Sequence, residues 1–301
     1  MKIKHAFLIT AYRDPNSLAE LMRQIASIPN SGAYLAIDSR QEKKTIDEIT
    51  KSYEINEISG NKIIKIDMRW GGTSHYAAMM QLMQNALKDE CTYFHTLTGQ
   101  CRLICPPSVF TEFFKKNSMQ NFLSYFPLPA NKWSQEGGLA RLKYYHANDL
   151  VNMKNFRTLR IIGRIFALLQ RVIGVNRLDN IIYYGGASYY SIGAKAAQLL
   201  VGDWVKNCTR YRHTFCVEEI IPHTVLCNSD LMNLGLIKNN SLRYVNWNKK
   251  YGETPAILDA DDEETLLSEA YIFARKIDSQ ISKGLKLPIE ENLARKLLLD
   301  E

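Results

Sequence analysis

Short apolar runs of strand length alternate along the chain with longer stretches whose apolar residues return every three or four positions. His5 to Thr10 reads as a buried strand. Asp14 and Pro15 then open a helix that carries Leu18, Leu21, Met22, Ile25 and Ile28 at helical spacing. Residues 33–38 predict a second strand and residues 41–52 a polar helix. A third strand over residues 62–67 leads through Arg69-Trp70-Gly71-Gly72 into a helix reaching about Leu87, with Thr73 or Ser74 as its cap. A fourth, over residues 92–97, ends in Thr98-Gly99-Gln100-Cys101. This order implies an α/β fold with a mainly parallel sheet covered by helices on both faces. Such sheets bind ligands at the carboxyl ends of their strands. Those ends are Ala11-Tyr12-Arg13, Asp38-Ser39-Arg40, Arg69-Trp70-Gly71-Gly72 and Thr98-Gly99-Gln100. Each has a structural reading by itself: Gly71-Gly72 as a turn, Asp38 as a cap, Gly99 as a positive φ. Several polar ends in register favour a small-molecule site.

The second half is less regular. Residues 127–149 hold aromatics, Gly137-Gly138 and the cluster Lys143-Tyr144-Tyr145-His146, and read as a long functional loop. Residues 157–177 contain five arginines and no acid. Arg157, Arg160, Arg164 and Arg171 share one helical face, and apolar residues fill the remainder. Such a helix can lie against anionic lipid headgroups or pack its apolar side on the domain. Tyr183 to Ile192 predicts an aromatic-rich strand, with Gly193 starting the next helix. Leu242 to Trp247 predicts a short strand followed by a basic turn, Asn248-Lys249-Lys250-Tyr251-Gly252. The acidic run from Asp259 to Glu264 is expected to cap a helix ending in Phe273-Ala274-Arg275-Lys276. The predicted organisation is one catalytic domain over residues 1–278 and a helical tail over residues 279–301.

Composition narrows the function. The 301 residues are 46% hydrophobic and 23% charged, as in an ordinary folded protein. No run approaches the roughly 18 to 20 apolar residues of a membrane-spanning helix. The basic, apolar beginning of the chain lacks a small-residue cleavage site and reads as a strand rather than a signal peptide. Six cysteines without a CxxC pair, mostly in or beside apolar stretches, fit a reducing, cytoplasmic setting and no metal cluster. A net charge of +7 calls for an anionic partner, and no nucleic-acid motif accompanies it. No GxGxxG follows the first strand and no GxxxxGK[ST] occurs, which disfavours dinucleotide dehydrogenases and P-loop enzymes.

The stretch from Phe215 to Leu226 places Glu218 and Glu219 directly before an apolar helical run. Acids there are either a helix start or a catalytic group. A glycoside hydrolase needs two carboxyls facing each other across a bond, whereas helical neighbours point about 100° apart. The pair therefore reads as one base and one cap, open by one position.

At this point the ordered motifs resemble the core-2/I-branching β-1,6-N-acetylglucosaminyltransferase and peptide O-xylosyltransferase family. The blocks are Ala11-Tyr12-Arg13-Asp14-Pro15, Ala36-Ile37-Asp38-Ser39-Arg40, Arg69-Trp70-Gly71-Gly72-Thr73-Ser74, and Tyr93 to Gln100. They continue with Gly186-Ala187-Ser188-Tyr189-Tyr190, Glu218 to Leu226, Leu242 to Trp247, and Phe273-Ala274-Arg275-Lys276. The resemblance covers residues from about 5 to 278. It implies a GT-A-type, Rossmann-like fold and an inverting transfer from a UDP-sugar that needs no divalent metal or other cofactor. Glu219 falls on the family's catalytic base, with Glu218 as its capping neighbour. Arg243 and Lys276 fall on the residues that hold the donor diphosphate, with Lys249, Lys250 and Arg275 nearby. Tyr12, Arg13, Asp38, Trp70 and Gly71 fall at the nucleoside pocket. Tyr189, Tyr190, Glu218 and Asp179 are expected at the acceptor. Two positions depart from the pattern: Cys101 stands where an acid usually follows Gly-Gln, and Ala187 stands for Ser.

These residues make a coherent mechanism. A base removes the proton of the attacking hydroxyl. Fixed cations then balance the departing diphosphate in place of a metal held by a strand-end Asp-x-Asp. The single Asp-x-Asp, Asp259-Ala260-Asp261, lies in the acidic helix start. The expected acceptor is a glycan or lipid-linked saccharide at the inner membrane face, as in bacterial surface polysaccharide or lipooligosaccharide synthesis. An inactive carbohydrate- or nucleotide-binding module of the same fold is the alternative, and an unrelated Rossmann-like enzyme such as a methyltransferase is a third.

Overall fold

The structure is a computed structural model and describes residues 3–54, 62–150, 157–268, 271–285 and 287. The first half follows the alternation read from the sequence. β1 (His5–Ala11) leads to α1 (Pro15–Ala26), β2 (Ser31–Asp38), α2 (Lys43–Glu54), β3 (Lys62–Ile66), α3 (Thr73–Lys88) and β4 (Tyr93–Thr98). Then come β5 (Arg102–Leu103), α4 (Pro107–Lys116) and β6 (Asn121–Pro127). In place of the expected loop stand the short turns α5 (Ser134–Gly137) and α6 (Ala140–Lys143) and a 3₁₀ turn, Ala147–Asp149. α7 (Arg157–Val172), β7 (Tyr184–Gly193) and α8 (Ala194–Tyr211) follow. After a 3₁₀ turn at Val217–Glu219, the chain continues through α9 (Ile221–Cys227), α10 (Asp230–Asn233), β8 (Ile237–Asn239), β9 (Arg243–Val245), α11 (Glu263–Ser268) and β10 (Phe273–Arg275).

Among the described residues, seven strands form one sheet in the order β3-β2-β1-β4-β7-β6-β8. β1 pairs in parallel with β2 and β4, and β2 with β3, while β7 runs antiparallel to both β4 and β6. The sheet is mixed and mostly parallel with helices on both sides, a GT-A-like α/β fold. Side-chain alternation along β1 and β2 explains the layering. Ala6, Leu8, Tyr34 and Ala36 pack with the α3 side chains Tyr76, Met80 and Met83. Phe7, Ile9, Leu35 and Ile37 pack with Leu18, Met22 and Ile25 of α1 and with Phe110 and Phe114 of α4. Strands buried on both faces must be apolar at successive positions, which is why they read as unbroken runs.

Three expectations are corrected. Phe273-Ala274-Arg275-Lys276 does not end a helix. Phe273 to Arg275 form β10, parallel to β9 and antiparallel to β5 in a second, three-stranded sheet, and Lys276 follows it. Phe273 and Ala274 fill two different core clusters, and opposite burial of neighbouring residues requires a strand. Neither Thr73 nor Ser74 caps α3: Gly72 holds the cap position, and Ser74 Oγ accepts the Arg69 N–H. The α3 terminus is instead closed by Asp149, which accepts from Thr73 N at 2.6 Å and Thr73 Oγ1 at 2.9 Å. The basic helix stops at Val172 rather than continuing to residue 177. The side chains of Arg157, Arg160 and Arg164, and residues 288–301 of the expected helical tail, lie outside the described residues. Within the tail, Ile281–Gly284 forms a 3₁₀ turn.

Candidate active site

The carboxyl ends of β1 and β4 meet the small β5-β10-β9 sheet, and charged side chains converge there. Arg13, two residues past β1, donates from Nε to Gln100 Oε1 at 3.0 Å and from NH1 to Glu253 Oε1 at 2.8 Å. Lys276, one residue past β10, donates Nζ to the other Glu253 oxygen at 2.8 Å. Arg13 and then Lys276 pull the Glu253 carboxyl down to about 2. The Lys276 ammonium is nearly buried, and that burial pushes its pKa down. Arg275 lays its guanidinium over the Tyr189 ring at 4.3 Å, and its Nε is buried without a partner. Burial raises the pKa of the Tyr189 hydroxyl, which also sits in the fields of Arg275, Cys101, Tyr12 and Glu218, so Glu218 lies near Arg275.

The acids follow Cys216, whose left-handed backbone (φ 50°) turns the chain inward and whose N–H donates to Gly71 O at 2.9 Å. Gly71 has φ +70°, and a Cβ there would overlap the Phe215 ring at 2.5 Å, so the position admits only glycine. The two carboxyls then part. Glu218 turns inward to within 3.6 Å of His75 Nδ1, with one oxygen buried and unpartnered. Burial first, and the Glu219 charge second, push its carboxyl up to about 8. Burial and Arg275 push His75 down to about 4. At neutral pH this contact therefore joins a neutral imidazole to a largely protonated acid, and it is not an ion pair. Glu219 turns outward, where its Oε2 receives Arg141 NH1 at 2.5 Å. Arg141 in turn stacks on Trp133 at 3.9 Å and reaches the Phe215 ring at 5.5 Å. Trp70, half exposed, meets Phe215 edge-on at 5.6 Å. The partner of the outer acid is thus flanked by aromatic rings, of which Trp70 is open to solvent.

Of the residues expected at the site, contacts join Tyr12, Arg13 and Lys276, with Arg275 stacked on Tyr189 beside them; Glu218 lies near Tyr189, and Glu219 turns away to Arg141. Trp70 and Gly71 join through Phe215 and Cys216, on the Glu219 side. Others serve the scaffold. Arg243, expected to clamp phosphate, is 6% exposed and donates to the carbonyls of Ser241, Tyr190 and Thr96. Its guanidinium lies 4.8 Å over Phe273, so it staples β9 to the central sheet, and burial lowers its pKa to about 10. Asp38 is buried and accepts from Arg40, Gln41 and the Met68 N–H, ordering the ends of β2 and β3 rather than facing a nucleoside. Tyr190 lies in the core at 1% exposure, where it meets no acceptor. Asp179 pairs with Arg210 at 2.5 Å in a corner shared with Arg177. Lys249 is exposed on its turn, and Lys250 is held by Asp259 at 2.5 Å and by Asp261. Asp259 belongs to a capping box with Asp262 at a 3₁₀ turn that also includes Ala260 and Asp261.

Sequence reasoning missed His75, Arg141 and Glu253. Arg141 lies just before the aromatic cluster at residues 143–146, its only local signal. Glu253 follows the basic turn at residues 248–252, and its partner Arg13 is 240 positions away.

A family model described as Core-2/I-Branching enzyme matches residues 5–264. No curated protein matches the chain.

Proposed function

The chain belongs to the Core-2/I-Branching enzyme family and is a glycosyltransferase acting from a nucleotide sugar on a glycan acceptor; from that premise we propose that it is an inverting, metal-independent enzyme that uses a UDP-sugar, with Glu219 as its base. The observation that carries this reading is the separation of roles within the acid pair. Glu219 is the carboxylate that an incoming hydroxyl can reach. It is held by Arg141, whose guanidinium stacks on Trp133 and reaches the Phe215 ring. Glu218 is enclosed behind it beside His75 and holds its proton.

In this reaction the acceptor hydroxyl gives its proton to Glu219 while its oxygen attacks the anomeric carbon. The bond from that carbon to the β-phosphate oxygen breaks, and UDP leaves with the bonding pair. Arg13, Arg275 and Lys276 are the cations that meet the departing charge. Glu253 pairs with both Arg13 and Lys276, so the diphosphate would compete with its carboxylate for them. The acceptor is a sugar hydroxyl of a glycan or lipid-linked saccharide, as in polysaccharide or lipooligosaccharide assembly.

Glu219→Gln tests the assignment. The variant should keep the UDP-induced rise in melting temperature, with EDTA present as without it, and lose transfer by about a hundredfold or more. Retained turnover would move the base elsewhere, and a shift that requires Mn²⁺ or Mg²⁺ would overturn the metal-independent reading.

A further inference from the structure

α7 is mounted with its apolar side outward. Ile165, Leu168, Leu169 and Val172 recur at the spacing of one helical face, and each is more than half exposed, Val172 at 77%. Ile173 extends the stripe at 74%. The side turned toward the domain carries small and polar residues instead: Gly163 and Ala167 are half-buried, and Gln170 is buried. Gln170 pins the helix to the body by accepting the Tyr145 N–H at 2.7 Å and donating to Tyr145 O at 3.0 Å. Arg171 pairs with Glu136 at 2.5 Å. A surface helix ordinarily buries its apolar stripe. Here that stripe is presented to the outside by specific polar fastenings on the opposite side.

Cationic side chains stand at the described end of the stripe, Arg171 on the helix and Arg177 just beyond it. Residues 157–177 contain five arginines and no acid. Past the helix, Tyr145, Arg177, Thr209, Arg210, Arg212 and His213 line an open cleft of about 490 Å³. The cleft adjoins the helix through Tyr145, which Gln170 holds on one side and over which Arg177 lies at 4.3 Å. At 16 residues α7 is ~24 Å long, too short to span the roughly 30 Å of a bilayer core. No helix among the described residues is long and apolar enough to cross a membrane.

We propose that α7 docks this glycosyltransferase on an anionic bilayer, lying in the interface with Ile165, Leu168, Leu169, Val172 and Ile173 among the acyl chains and the arginine rim on the headgroups. An exposed apolar stripe with a cationic rim is the chemistry of an interfacial helix. A second copy of the chain fits less well, because a two-fold contact through this face would set one arginine rim against another. Docking also bears on the proposed acceptor. Glu136, Lys143 and Arg171 form one ion-pair group, and Arg141, which orients Glu219, lies in the same short segment.

Flotation of the full chain with vesicles tests the proposal, comparing phosphatidylcholine alone with an equal mixture of phosphatidylcholine and phosphatidylglycerol. The wild type should float with the anionic vesicles and much less with the neutral ones. Leu168→Glu combined with Leu169→Glu should lower the anionic partition coefficient by roughly tenfold or more without moving the melting temperature. Val172→Ser combined with Ile173→Ser is a gentler arm that should move in the same direction. Failure of the wild type to float with anionic vesicles overturns the proposal, as does equal flotation of both variants. A concentration-dependent dimer, seen by light scattering and broken by these variants while flotation is unchanged, assigns the face to a second copy instead. Because flotation requires neither donor nor turnover, its failure leaves the catalytic reading intact.

Discussion

Glu218→Gln probes the electrostatics that divide the acid pair. Burial and the neighbouring Glu219 charge move the Glu218 carboxyl from the ordinary 4.5 to about 8. At about 1.4 kcal/mol per unit, holding that group ionised would cost the fold ~5 kcal/mol as a ceiling. Relaxation and water entry lower this to on the order of 2–3 kcal/mol. The sign follows from proton linkage. A carboxyl whose folded-state pKa is raised contributes fully below pH 4.5, loses its contribution as pH rises toward about 8, and is flat beyond. Glutamine keeps the shape and removes the titration. The variant should therefore be more stable than the wild type above about pH 8, with the difference closing between pH 8 and 4.5. His75, depressed to about 4, stays neutral through most of that window and supplies no compensating charge. Urea denaturation of both proteins at several pH values measures the difference directly. A variant less stable than wild type at alkaline pH would refute the reasoning, because it would mean that an ionised Glu218 is paired with a protonated His75.

Two further outcomes follow from the cation cluster. Glu253→Gln removes the carboxylate that occupies Arg13 and Lys276, so UDP should bind several-fold more tightly in calorimetry. The wild-type carboxyl is pulled down to about 2, so its stabilisation is present above 4.5 and lost as pH falls toward 2; the variant should lack that acid-sensitive component. Weaker UDP binding would show that Glu253 supports the donor rather than standing in for it. Arg243→Met should lower stability by on the order of 3 kcal/mol while sparing UDP affinity per folded molecule, because its partners are backbone carbonyls. Unchanged stability with lost UDP binding would restore Arg243 as the phosphate clamp.

The order from β1 to β4 is legible because β1, β2 and β4 are buried on both faces and α1 and α3 carry apolar residues at helical spacing. The small sheet is not. β5, β9 and β10 have two or three residues each, too few to show a period, and Phe273 to Lys276 was therefore joined to the acidic run before it. The site divides on the same line. Polar residues at strand ends, such as Arg13 and Gln100, announce themselves by position. Arg243 and Asp38 share that position yet point into the structure, since a sequence does not show whether a charged side chain faces a ligand or a backbone carbonyl. Glu253 and His75 meet their partners only through tertiary contact, 240 residues from Arg13 in one case. α7 shows the converse problem. Its apolar and basic faces were readable, but the face it turns to the domain depends on Gln170 finding the Tyr145 backbone.

Charge is concentrated where the small sheet meets the end of β1. Arg13, Arg275 and Lys276 gather at the ends of β1 and β10, and Glu253 is the carboxylate that bridges two of them. Glu218 adds little negative charge at neutral pH because it holds its proton, and Glu219 is already matched to Arg141. The local balance is therefore positive, which suits a diphosphate rather than a neutral sugar. A neutral Glu218 leaves the charge of the cations and of the Glu219–Arg141 pair unopposed by the buried acid between them in sequence.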